Sequence, residues 1–88
     1  MQSSGSWHLY ILECADGTYY TGITNNLEKR FTAHNSGKGG RYTRARVPVR
    51  IIYQEKVLDR STALTREHAV KALSREQKKK LIDTIKML

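Results

Sequence analysis

From Trp7 to Cys14 the chain is apolar on both faces of an extended segment, with Leu9 and Ile11 on one side and Tyr10 and Leu12 on the other. Ala15-Asp16-Gly17 interrupts the run, and Thr18 to Thr24, rich in Tyr and Thr, resumes it. The pattern predicts a hairpin of two strands. Two registers are open. A two-residue turn pairs Cys14 with Tyr19, whereas a three-residue Ala15-Asp16-Gly17 loop with Gly17 in the left-handed region pairs Leu12 with Tyr20. Side chains alternate faces along a strand, so only the second register sets Tyr10 and Tyr20 on the same face.

Helical periodicity begins next. Asn25, with Glu28 three residues later, resembles a capping box, and Leu27, Phe31 and His34 follow at helical spacing. A first helix is therefore expected from about Asn26 to Ser36, ended by Gly37. Between Lys38 and Arg50, Gly39-Gly40 and Pro48 break any regular pattern, and the segment is expected to be a loop rather than a helix. Residues 50–57 (RIIYQEKV) have a β-rich start and predict a third strand. Asp59 or Ser61 can cap a second helix to about Leu73, and Ser74 with Gln77 makes another capping box, opening a third helix from about Arg75 to Leu88. The order β-β-α-β-α-α defines a small α+β fold with helices packed on a mostly antiparallel sheet. Residues 1–6 (MQSSGS) are small, polar and patternless, a disordered tail or expression remnant, which leaves residues 7–88 as one domain.

Charge narrows the choice of partner. The chain has 16 Lys and Arg against 8 Asp and Glu, a formal charge of +8, which favours a polyanion, nucleic acid before an anionic membrane. Lys38, Arg41, Arg44, Arg46 and Arg50 all fall in the 38–50 segment, which holds no acid. No apolar run approaches the roughly 20 residues of a membrane span, and no charged start leads into an apolar signal segment, so a cytoplasmic location is expected. Cys14 is the only cysteine. That excludes an internal disulfide and a cysteine-rich zinc site, and leaves Cys14 as a small buried hydrophobe.

Read together, LYI at 9–11, YTG at 20–22, EKRFTAHN at 28–35, GKGGRYTR at 37–44 and LTREHAVKAL at 64–73 resemble the GIY-YIG nuclease superfamily, and within it the small stand-alone bacterial YhbQ-like members. Each stretch is short, but their order and spacing in combination are specific. The resemblance implies a three-stranded antiparallel sheet flanked by helices and a metal-dependent endonuclease acting on nucleic acid, DNA in preference to RNA. It further implies selectivity for unusual DNA structures and a part in DNA repair. Carried over by position, Tyr10 matches the tyrosine closing the first family motif and Tyr20 the one opening the second. Arg30 matches the helix arginine, His34 a histidine one turn later, and Glu67 the metal-binding glutamate. Three positions depart from the pattern: His8 stands for a glycine, Thr21 for an isoleucine, and Lys79 for a polar residue that is commonly asparagine.

Hydrolysing a phosphodiester requires an activated water, neutralisation of charge developing on the phosphate, and stabilisation of the leaving oxygen. Under the resemblance, Glu67 holds one Mg²⁺ or Mn²⁺, weakly until substrate phosphate completes its shell. Tyr10 is then the general base, Tyr20 positions water or phosphate, Arg30 makes a bidentate phosphate contact, and His34 bonds phosphate or orients a tyrosine. On a helical wheel Glu67 lies between Ala63 and Leu64, beside the apolar arc, where a fully solvated acid is not expected. The bland alternative is an ion pair with Arg30 or Arg66. Lys38, Arg41, Arg44 and Arg46 are the expected nucleic-acid backbone contacts, with Tyr42 available to stack on a base or sugar. The competing functional class is a nucleic-acid-binding module without turnover, or a nuclease subunit active only with a protein partner that supplies specificity.

Overall fold

Strand β1 (Trp7–Glu13) lies in the middle of a three-stranded antiparallel sheet of order β2-β1-β3, flanked by β2 (Tyr19–Thr24) and β3 (Arg50–Val57). A central strand is covered on both faces, which is why β1 is apolar on both. The structure, a computed structural model, describes residues 6–86, with side chains through Thr84. Most of the expected tail, residues 1–5, and the last two residues of the expected third helix, Met87 and Leu88, lie outside the described residues.

Two cores form on the two faces. Leu9 and Ile11 join Tyr53, Val70 and Ile82 in one cluster, the last two contributed by α3 (Arg60–Lys71) and α4 (Arg75–Lys86). Tyr10 and Leu12 join Cys14 and Val49 in the other, against which Leu27 and Phe31 of α1 (Leu27–Asn35) pack. Each fully buried aliphatic side chain contributes about 1.5–3 kcal/mol, so a strand feeding both clusters is the main support of the fold. A β-bulge lies where Ile11 pairs with Tyr53 but Leu12 pairs with Ile51. It sends Tyr53 and Ile51 to opposite clusters, which strict alternation would not allow.

The hairpin adopts the second of the two registers. Leu12 pairs with Tyr20 and Tyr10 with Gly22, around a loop in which Gly17 has φ +84° and the Cys14 amide donates to the Thr18 carbonyl at 2.8 Å. Asp16 holds the turn by accepting from the Thr18 amide (3.1 Å) and hydroxyl (2.6 Å). Tyr10, Leu12, Tyr20 and Gly22 therefore share the face that looks toward α1. Cys14 is buried, and burial pushes its thiol up, as suits an inert packing residue.

Helix starts follow local capping. Asn26, not Asn25, caps α1 by accepting from the Lys29 amide at 3.1 Å, so the helix begins one residue later than the Asn25–Glu28 box suggests. Asp59 caps α3 through the Thr62 amide at 2.8 Å. Ser74 and Gln77 close a reciprocal box at 3.1 and 2.9 Å before α4. The 38–50 segment departs from the expectation of a loop, for it contains a one-turn helix, α2 (Arg41–Arg44), which makes the order β-β-α-α-β-α-α. One turn is too short to display an apolar period, and α2 buries only Thr43. The Asn35 side chain at the end of α1 acts as a surrogate strand partner: it accepts from the Val49 amide (2.7 Å) and donates to the Val49 carbonyl (3.0 Å). No helix among the described residues is long and apolar enough to cross a membrane.

Candidate functional site

Tyr10 is only 2% exposed, yet its hydroxyl has chemistry around it. It lies 3.0 Å from Nε2 of His34, a side chain of α1 that is itself fully buried. The other ring nitrogen of His34, Nδ1, lies 2.7 Å from the Thr43 hydroxyl of α2. Tyr20 completes an aromatic group, its ring 5.1 Å from that of His34 and 6.4 Å from that of Tyr10. The Arg30 guanidinium donates to the Gly39 carbonyl and is near enough to both phenols that its charge acts on Tyr10. Glu67 of α3 is near enough that its charge acts on Tyr10.

Two glycines make this packing possible. A Cβ on Gly22 would sit 2.5 Å from the Tyr10 hydroxyl, so the phenol lies directly over the Gly22 backbone. A Cβ on Gly39 would sit 2.2 Å from His34 Nδ1 and 2.5 Å from His34 Cα. The loop between α1 and α2 thus holds the imidazole by backbone contact on one side and by Thr43 on the other.

Burial sets the protonation of the group. Tyr10 is pushed above its ordinary value mainly by burial, which outweighs the opposing influence of nearby Arg30. His34 is lowered from 6.5 to about 4, by burial first and by the Arg30 charge second. Both are neutral at pH 7. In the unfolded chain His34 protonates near 6.5 and in the folded protein only near 4, so between those values the unfolded chain binds the extra proton. Stability contributed by neutral His34 is complete above pH 6.5 and declines as pH falls toward 4. At about 1.4 kcal/mol per unit, roughly 2 kcal/mol should be lost between pH 6.5 and 5. Urea unfolding at the two pH values checks this. An equal loss in a folded His34→Gln variant would assign the effect elsewhere.

The other residues expected from sequence divide. Glu67 keeps a side-chain exposure of 20% and pairs with Lys71 at 3.3 Å along its own helix. It is the partner of neither Arg30 nor Arg66. Arg66 instead pairs with Glu55 at 2.6 Å, and the Tyr53 hydroxyl donates to the same carboxylate. Among the described residues no group of three His, Cys, Asp or Glu side chains could hold a metal. Lys38, Arg41 and Arg44 line an open polar depression of about 270 Å³ with Gly37 and Gly40. Arg46 and Tyr42 also make contacts within the protein. Arg46 pairs with Asp16 at 3.0 Å, donates to the Tyr42 carbonyl at 2.8 Å and lies 4.1 Å from the Tyr42 ring centre. Tyr42 also stacks on Tyr20 at 5.9 Å. Both side chains therefore brace α2 against the hairpin, because the Asp16 turn brings a carboxylate to Arg46. Thr43 and Gly39 were not legible as site residues; they lie in an irregular stretch, and what marks them is packing on His34.

Residues 6–80 match the GIY-YIG catalytic domain, and the chain belongs to the GIY-YIG nuclease superfamily. Within it the chain is similar to a UPF0213 protein of Desulfotalea psychrophila, 54% identical over 78 residues that cover 88% of this chain and 71% of that protein. A UPF0213 protein of Natronomonas pharaonis is 45% identical over 75 residues, covering 85% and 88%. Two solution NMR structures share the fold. The UPF0213 protein BH0048 of Bacillus halodurans is 40% identical, with a TM-score of 0.59 and 90% of this chain and 84% of that one covered. The protein EF2693 of E. faecalis is 41% identical, with a TM-score of 0.66 and coverage of 100% and 94%.

Proposed function

We propose that this chain is a divalent-metal-dependent endonuclease that hydrolyses phosphodiester bonds in nucleic acid, with DNA as its substrate. The observation that carries the reading is the convergence of Tyr10, Tyr20, Arg30 and His34 on one spot within electrostatic reach of Glu67. Glu67 would hold the ion. A single carboxylate is a poor site alone, but it fits Mg²⁺ or Mn²⁺, which keep several waters and draw the rest of their shell from substrate phosphate. When bound, the ion supplies positive charge against the negative charge developing on the phosphate.

The chain's own residues move the proton. A guanidinium cannot accept, so with Arg30 beside it the Tyr10 hydroxyl directs its hydrogen at His34 Nε2. On this assignment Nδ1 carries the imidazole hydrogen and donates to Thr43 Oγ1, which fixes the tautomer. The water oxygen forms a bond to phosphorus as the bond to the leaving oxygen breaks. Its proton passes to Tyr10 while the Tyr10 proton passes to His34, and solvent protonates the leaving oxygen. With His34 near 4 and Tyr10 above its ordinary value, the free protein does not populate the transferred state. Substrate changes that balance. A phosphate paired with Arg30 neutralises the charge that depresses His34, so the imidazole becomes a better acceptor when the substrate is in place.

The test is cleavage of labelled single-stranded, duplex and branched DNA and of RNA, with Mg²⁺ or Mn²⁺, beside a Glu67→Ala control. Metal-dependent cutting of DNA that the control lacks is expected. Equal cutting by both proteins would trace the activity to a contaminant and overturn the reading. Binding by both without cutting would establish a module that keeps the fold and not the turnover.

A further inference from the structure

Strand β2 is at the edge of the sheet, and its adjacent tyrosines point to opposite faces. Tyr20 faces His34 and α1; Tyr19 packs with the other cluster, and the Arg75 guanidinium of α4 lies 4.2 Å from its ring centre. At the hairpin end the two faces meet in an open depression of about 190 Å³ lined by Thr18, Tyr19, Tyr42, Arg75 and Lys78. Tyr42 joins this depression to the candidate site, since it is stacked on Tyr20. Arg75 and Lys78 lie one turn apart on α4 with no acidic partner among the described residues, whereas Arg46, Arg50, Arg66 and Lys71 are each paired.

We propose that Arg75 and Lys78 form a second phosphate subsite, which holds the single-stranded flank of the same nucleic-acid strand whose scissile phosphate sits at Arg30. The placement relative to Arg30 rests on the nuclease reading above; the subsite itself does not. Stacking on Tyr19 orients the planar guanidinium without using its N–H donors, which leaves a pre-aimed fork for phosphate oxygens. Lys78 adds a point charge beside it. To reach from Arg30 to Arg75 the backbone has to turn round the end of the hairpin, from the face of Tyr20 to the face of Tyr19. A duplex, with a persistence length of about 50 nm, resists so sharp a turn. A single strand makes it by backbone torsion.

Binding without turnover tests the proposal. In the Glu67→Ala background, anisotropy of a labelled single-stranded oligonucleotide is followed across a salt series, with the matching duplex as comparison. The Arg75→Gln/Lys78→Gln protein should bind the single strand about 10-fold more weakly, and the slope of log affinity against log salt should fall by about 0.7–1.4, as expected for one or two lost phosphate contacts at 0.7 each. The duplex should lose less. Lys78→Gln alone leaves the Tyr19 stack intact and should give about half the change in slope. Unchanged slopes in both variants overturn the subsite, and an equal loss on duplex overturns the single-stranded flank. Absence of cleavage in the wild-type protein would instead overturn the nuclease reading while these slopes still decide the subsite.

Discussion

Replacing Gly39 by alanine is expected to lower stability by roughly 3–5 kcal/mol and to expel His34 from its place. The added Cβ would lie 2.5 Å from His34 Cα, a backbone atom that cannot rotate away, and 2.2 Å from Nδ1. Relief requires moving the 37–40 loop or α1 itself. Overpacking of this kind costs about 1–3 kcal/mol, and each hydrogen bond broken adds about 1 kcal/mol. Three are at risk, His34 to Tyr10, His34 to Thr43, and Arg30 to the Gly39 carbonyl. Urea denaturation gives the loss directly, and imidazole nitrogen shifts report whether His34 has left its partners. A midpoint within experimental error of the parent protein would mean that the loop does not press on His34 as described.

Gly22→Ala should act differently, abolishing turnover more than it weakens the fold. Its Cβ would meet the Tyr10 hydroxyl at 2.5 Å and Cζ at 2.7 Å, and here the obstructed group is the far end of a side chain. The ring can tilt, at about 1–3 kcal/mol of strain in a packed core. Tilting carries the hydroxyl off His34 Nε2, and on the proposed mechanism breaks the proton path. Since a positioned acid–base group contributes about 10²–10⁴-fold to rate, cleavage should fall by at least about 100-fold, matching Tyr10→Phe. Single-turnover rates on both variants decide it. Should Gly22→Ala cut at near the parental rate while Tyr10→Phe does not, the phenol has room to spare and its contact with Gly22 has no mechanistic weight.

The outcome also explains which features could be read from the chain. Continuous apolarity from Leu9 to Leu12 marked β1 because a central strand has no solvent face, and the hairpin register was reduced to two options by turn chemistry. Gly17, with φ +84°, takes the left-handed conformation that the three-residue loop needs. Caps at Asp59 and Ser74 were legible because the interaction spans three residues. At Asn25-Asn26 two residues of capping type adjoin, and only the side-chain geometry chooses Asn26. The one-turn α2 and the roles of Gly39, Thr43 and Arg46 were not legible. Each depends on a contact with a residue from 5 to 30 positions away, across a stretch with no period to read. Thr21 shows the converse: it departs from the family's isoleucine, and its buried hydroxyl has no hydrogen-bond partner among the described residues. A buried hydroxyl without a partner costs about 1–3 kcal/mol, which a hydrocarbon there would not incur.

Because Tyr10 is the largest fully buried side chain among the described residues and belongs to one of the two cores, under the proposed function it answers to two selective demands at once. Whatever the chemistry, the aromatic ring over Gly22 and the imidazole against Gly39 contribute packing that stabilises the fold. Arg30 and Glu67 are under no such obligation, since neither belongs to a core cluster and both retain solvent access. Among relatives, then, persistence of the tyrosines says little about turnover, and inactive lineages should first betray themselves by drift at the arginine and the glutamate.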